Sequence, residues 1–154
     1  MKRFEPSLQL IALLFGAITF GTAYYLLFLS HPAWSAISFS EFLPVFQAII
    51  LKIGMSQIVV SNIALVACII LFFMSKDWFW LIGGALILAS LPVTMYLLMP
   101  INFQFIEAAD PDLAAKAPEL LRNWGNYQII RFVGDGLAFA AMCKPVIWPK
   151  NRHG

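Results

Sequence analysis

The sequence predicts an all-α integral membrane protein: one transmembrane domain over residues 1–154, built as a four-helix bundle with both termini cytoplasmic and a short interfacial helix in the first outer loop. Three observations lead there. Of the 154 residues, 61% are hydrophobic and 12% charged, far from the roughly 25% charged of soluble domains. Apolar runs cover Leu8–Leu29, Ile53–Met74 and Trp78–Met99, each about 22 residues and about 33 Å long as helix, enough to cross a hydrocarbon layer of about 30 Å. Finally, Lys2, Arg3, Lys76, Lys144, Lys150 and Arg152 fall on one side of the implied topology, while the long connections of the other hold Glu41, Glu107, Asp110, Asp112 and Glu119 against Lys52, Lys116 and Arg122. The positive-inside rule puts the basic side in the cytoplasm. That parity requires a fourth span, Tyr127–Trp148, although it carries Arg131, Asp135 and Lys144.

Taken in order, the first run follows Met1-Lys2-Arg3 and precedes the small-residue stretch Ala33–Ala36, as a secretory signal would. It is longer than the usual signal core of about 7 to 15 residues, so a retained helix is expected. His31-Pro32 reads as the turn that closes it. Ser38–Gly54 mixes Phe42, Leu43, Phe46, Ile49, Ile50 and Ile53 with Glu41, Gln47 and Lys52. That pattern fits an interfacial helix with Pro44 in its first turn, or equally an apolar loop packed over the bundle mouth. The short stretch Ser75–Asp77 forces spans two and three to be antiparallel neighbours. In span three, Pro92 removes a backbone hydrogen bond and predicts a kink, and Pro100 marks the expected helix end. Asp110-Pro111 is a turn signal, and Pro118-Glu119 begins a helix that runs on into span four.

Gly16, Gly21, Gly83, Gly84, Gly134 and Gly136 offer small surfaces for close helix approach. Tyr24, Tyr25 and Trp34 at one end and Trp78, Trp80 and Trp148 at the other read as an interfacial aromatic belt. Cys68 and Cys143 lie inside apolar spans, where a thiol behaves as a small hydrophobe, and no disulfide is expected. A net charge of +2 with no basic patch points away from nucleic acid. Haem-attachment cysteines, metal-ligand spacings, a phosphate loop and a nucleophile motif are all missing from the sequence, so neither a metal nor an organic cofactor is expected. His31 and His153 fall on opposite sides.

The polar exception is WGNYQIIRFVGDG, residues 124–136. Trp124, Gln128, Arg131 and Asp135 follow spacings of four, three and four, so they share one helix face, which Ala138 and Met142 continue. An ionised side chain at the bilayer centre costs at least about 2.5 to 3.5 kcal/mol, so this face should look into the bundle or a wet cavity. Two readings stay open: an i, i+4 ion pair that merely satisfies itself, or an outward-opening pocket where Arg131 holds an anionic group and Asp135 accepts a proton. Gln57, Asn62 and Thr94 are possible walls of such a pocket, and Asn102 lies just outside on the same side. His31 is more simply a structural residue of its turn than a base.

These residues resemble a family of small four-span membrane proteins, the anthrone oxygenase-like proteins, many of them bacterial. The resemblance runs through Gly16 and Gly21, Pro32, Pro92-x-Thr94, Pro100-x-Asn102 and LLRNWGNYQIIR with Trp124 and Arg131. It implies a multi-pass protein of the bacterial inner membrane that oxidises a lipophilic anthrone-type compound with molecular oxygen and no cofactor. Under that resemblance Asp135 or His31 would be the base, Arg131 the electrostatic partner, and Asn102, Trp124, Gln128 and Thr94 the substrate-binding residues. Two other roles fit the same chain: an accessory subunit contacting the helices, pigments or quinones of a membrane complex, and a carrier of hydrophobic molecules. Besides membrane lipids, the expected partners are thus a lipophilic aromatic molecule and membrane-complex subunits.

Overall fold

A computed structural model describes residues 4–148; Lys2, Arg3, Lys150, Arg152 and His153 lie outside the described residues. The chain forms four helical rods. The first joins α1 (Glu5–Tyr24), a wide π-helical stretch (Tyr25–Ser30) and α2 (His31–Ser35); the second is α3 (Phe39–Ser75). The third joins α4 (Trp78–Pro92), a second π-helical stretch (Val93–Leu98) and α5 (Met99–Glu107); the fourth is α6 (Leu113–Ile147). The first three rods are long and apolar enough to cross a membrane, by length and composition. Each rod packs on the next, and the fourth closes against the first. Gly16 lies on Met142 and Gly136 on Phe20, while Gly84 meets Cys68 and Leu65, so neighbours run antiparallel. The result is a membrane helical bundle, with a hairpin end around Lys76 and a loop end around Ser38 and Asp110.

Two expected breaks are continuous helix. His31-Pro32 does not turn the chain, and Pro100 does not end span three. In both rods the residue before the proline donates its N–H five residues back, His31 to Leu26 O and Met99 to Thr94 O. Proline removes a donor and crowds the carbonyl four residues before it. A π-type turn moves that carbonyl away, and the helix runs on. The segment expected as a separate interfacial helix is helical too, but as the first part of α3. Ser38 starts it, its backbone N–H and hydroxyl both donating to the Glu41 carboxylate at 3.1 and 2.6 Å. The fourth rod begins at Leu113, five residues before Pro118.

The interior has two parts. Towards the hairpin end it is made of small residues, Ala12, Ala64, Ala67, Cys68 and Ala138, with Leu71, Trp80, Ile87 and Met142. Towards the loop end it is aromatic, with Trp34, Phe42, Phe46, Phe105 and Trp124 among Leu98, Ile101, Leu113 and Leu121. Small residues let backbones approach where lipid gives helices no hydrophobic reason to associate. Large rings fill the wider space between the rod extensions. Trp34 and Trp80 therefore belong to the core and not to a belt, whereas Tyr24, Tyr25, Trp78 and Trp148 are exposed as expected. Gly16, Gly83, Gly84 and Gly136 do sit at close helix contacts, but Gly21 and Gly134 face open space.

The turn between α3 and α4 depends on Lys76, which takes the left-handed backbone conformation, and on Asp77, whose carboxylate accepts from Phe79 N at 3.1 Å. Ala108 closes α5 in the same left-handed region, at φ 47°. Beyond it, Lys116 pairs with Asp110, and that bond together with the Asp112 N–H holds the exposed carboxyl below the usual range. The left-handed conformation disfavours a Cβ, so Ala108→Gly should raise stability by about 0.5 to 1 kcal/mol in thermal unfolding in detergent. Gly125 is the opposite case, because an added Cβ would lie 2.6 Å from His31 Nε2. Gly125→Ala should therefore cost about 1 to 3 kcal/mol as overpacking. In a double-mutant cycle with His31→Ala the two losses should sum to more than the double variant shows.

Candidate functional site

Along α6, besides Gly125 under His31, the buried positions are Leu113, Ala117, Leu121, Trp124, Gln128, Arg131, Asp135, Ala138, Met142 and Pro145. Their alternating spacing of three and four is one stripe facing the other rods. Ala138 and Met142 fix its lower half against Gly83 and Gly16, and Trp124 fixes its upper half in the aromatic cluster. The polar residues between them have no choice of direction. Arg131 is 8% exposed and Asp135 1%.

Opposite this stripe the packing is incomplete. No residue of the third rod between Ile87 and Leu98 is fully buried, nor any of α3 between Ile50 and Gln57 or between Gln57 and Ala64. In α3 the positions that should fill those gaps are Gly54 and Ser61, and in the third rod Ser90 and Thr94 stand beside Pro92. The deficit leaves a cavity of about 120 Å³. Its polar lining is Gln57, Ser61, Ser90, Thr94, Asn102, Gln128 and Arg131, set among Leu26, Ile50, Leu98 and other apolar side chains. Arg131 is the one charged residue in that lining.

Arg131 Nε stands 3.6 Å from Asp135 Oδ2, close enough for ion pairing but too long for a hydrogen bond. Among the described residues, five buried side-chain atoms have no hydrogen-bond partner in the protein: Gln128 Oε1, Arg131 Nε, both Asp135 oxygens and Trp80 Nε1. Four of the five are on this stripe, beside the cavity. Buried polar groups are nearly always satisfied, so four such atoms together set this stripe apart from the rest of the interior.

A second chain of contacts reaches the cavity from the loop end. Trp124 Nε1 donates to Asn102 Oδ1 at 3.0 Å, and the Asn102 amide nitrogen donates to Met99 Sδ at 3.8 Å. His31 stacks on Trp124 with ring centroids 6.1 Å apart, and its Nε2 donates to Leu121 O at 3.0 Å. His31 thus holds Trp124, and Trp124 orients Asn102.

Of the residues singled out in the sequence, the structure places Gln57, Thr94, Asn102, Gln128 and Arg131 on one cavity. Asp135 lies behind Arg131, and Trp124 lies behind Asn102. His31 does not reach this cavity; it borders a separate surface groove with Arg122 and Asn126. Gln57 points inward, its Nε2 donating to Thr19 O at 3.2 Å, whereas Asn62 is exposed and bonds to Ile58 O in its own helix. Ser90 was missed. It lines the cavity, adjoins the Asp135 carboxyl and donates to Ile87 O at 2.8 Å. Its spacing of four from Thr94, on either side of Pro92, was the available signal. No cluster of three or more His, Cys, Asp or Glu with metal-holding geometry occurs among the described residues.

No curated protein and no solved structure matches this chain. The anthrone oxygenase family matches residues 46–141, a stretch that includes every polar residue of the cavity together with Trp124 and Asp135 and leaves out His31. With more than half of its length matched, the chain belongs to the anthrone oxygenase family.

Proposed function

We propose that the cavity binds a flat, lipophilic, anthrone-type ketone and oxidises its activated methylene to a second ketone with molecular oxygen. The observation that carries this reading is the convergence of Arg131, Gln128 and Asn102 on one apolar cavity, with polar atoms of the first two left unpartnered by the protein. In such a compound the methylene lies between two aromatic rings and opposite the carbonyl. Losing a proton there moves negative charge onto the carbonyl oxygen. A guanidinium and an amide N–H in an apolar surrounding stabilise that oxyanion far better than water does.

Asp135 is the proton acceptor in this reading, and Ser90, which touches both the cavity and the carboxyl, carries the proton across. The anion passes one electron to oxygen, and the two radicals combine to form a carbon–oxygen bond. The peroxide takes up the proton, the second methylene hydrogen leaves as the oxygen–oxygen bond breaks, and ketone and water result. One oxygen molecule is consumed per substrate. The substrate supplies all the electrons, so no separate reductant is needed.

The test is oxygen uptake and anthraquinone formation by the purified protein given anthrone, corrected for the spontaneous reaction. A one-to-one ratio without hydrogen peroxide is expected. The double variant Arg131→Gln/Asp135→Asn removes both charges together, leaving neither buried alone. It should fold and lose at least about 100-fold in turnover, the scale of one lost oxyanion donor. Ser90→Ala should slow proton removal, seen as a larger rate difference between anthrone and its methylene-deuterated form. Unchanged turnover in the double variant, or no oxidation by the unmodified protein, would refute the reading.

A further inference from the structure

We propose that this cavity is entered sideways, from the acyl chains of the bilayer, through a mouth between α3 and the third rod, and that it therefore admits uncharged lipid-dissolved molecules and not water-borne ones. The proposal rests on the reading of the cavity as a ligand site and adds the route and the physical class of the ligand. Both axial routes are closed. Towards the loop end, Trp34, Phe42, Phe46, Phe105 and Trp124 form a buried aromatic plug. Gln47 ties it shut by donating to Phe105 O and Ile106 O at 2.9 and 3.2 Å. Towards the hairpin end, Ala64, Ala67, Cys68, Trp80, Ile87 and Ala138 form one buried cluster.

The lateral side is different. The cavity's lining includes Leu51, Met55, Ile58 and Met95, which are 47%, 67%, 44% and 50% exposed. All four are apolar, while the polar residues Gln57, Asn102, Gln128 and Arg131 are buried at the back. Gly54 sits in the same rim, and a Cβ placed there would meet no atom within 4 Å. Met55, Ile58 and Met95 all lie inside helices of membrane-spanning length and hydropathy. Met55 and Ile58 are about 4.5 and about 9 Å along α3 from Lys52, at the rise of one α-helical residue each. Lys52 is exposed and marks where the apolar run begins, so the mouth opens just below the headgroups. Two methionines at the rim can change rotamer to pass a rigid ring. An ionised ligand would have to shed its hydration to reach this opening, which excludes it.

The experiment uses the full chain in nanodiscs, with Cys68 and Cys143 replaced by alanine and a nitroxide attached at Met95→Cys. Collision with molecular oxygen and shielding from a water-soluble nickel chelate are expected; ready access by the chelate would overturn the proposal. Binding of anthraquinone, a non-reacting probe, is titrated against protein-free nanodiscs. Gly54→Phe should raise the Kd at least tenfold, while Gly134→Phe, at an equally open position on another face, should leave it unchanged. Equal binding by Gly54→Phe and the unmodified protein would also overturn the proposal. A protein that binds anthraquinone through this mouth and yet fails to oxidise anthrone would refute the reaction and leave the portal standing.

Discussion

A guanidinium and a carboxylate one helical turn apart, in a helix enclosed by apolar rods, dictate how this bundle is assembled. Neither Arg131 nor Asp135 can face hydrocarbon without a large desolvation cost, and neither can stay buried without the other. That fixes the rotation of α6. Once α6 is fixed, Met142 must lie on Gly16 and Gly83, and Trp124 must enter the aromatic cluster. The pair is held at 3.6 Å, loosely enough that the guanidinium keeps hydrogen-bonding capacity for something else.

The two kinds of interior divide the work of holding the rods. Alanines, glycines and Cys68 bring helices close near the hairpin end, where shape complementarity and dispersion are the available attractions. Near the loop end rings take over, tied by side-chain bonds such as Trp124 to Asn102 and Gln47 to Phe105. The cavity occurs at the change from one regime to the other. Small residues persist there on α3 and on the third rod, at Gly54, Ser61 and Ser90, but the backbones no longer approach closely enough to use them.

Much of this was legible in the sequence. Run lengths pointed to three long apolar helices, and spacings of three and four gave the polar stripe, because a helix turns every residue by a fixed angle wherever it sits. Gln128 and Arg131 could be named for the same reason, whereas Thr94 and Asn102 could be named from their side of the membrane and from the family resemblance. What escaped were features decided by neighbours. Nothing in one helix says that Asn62 faces outward and Gln57 inward, or that Trp80 is covered. His31-Pro32 and Pro100 read as ends, since proline ends helices when no wider turn is available to absorb it. Ser90 escaped because its spacing of four from Thr94 across Pro92 gains meaning only once Asp135 is brought beside it.

The wide turn at Val93–Leu98 has a geometric effect on the far side of Pro100. In an unbroken α-helix, Asn102 would stand about 120° around the axis from Ser90, after twelve steps of about 100° each. A π-type turn carries one residue more than an α-turn, which sets everything beyond it back by about one such step. The remaining difference is about 20°, so a hydroxyl below the proline and an amide above it come to look the same way. The irregularity acts as a phase corrector, letting one strand of helix present chemistry from two registers to a single chamber.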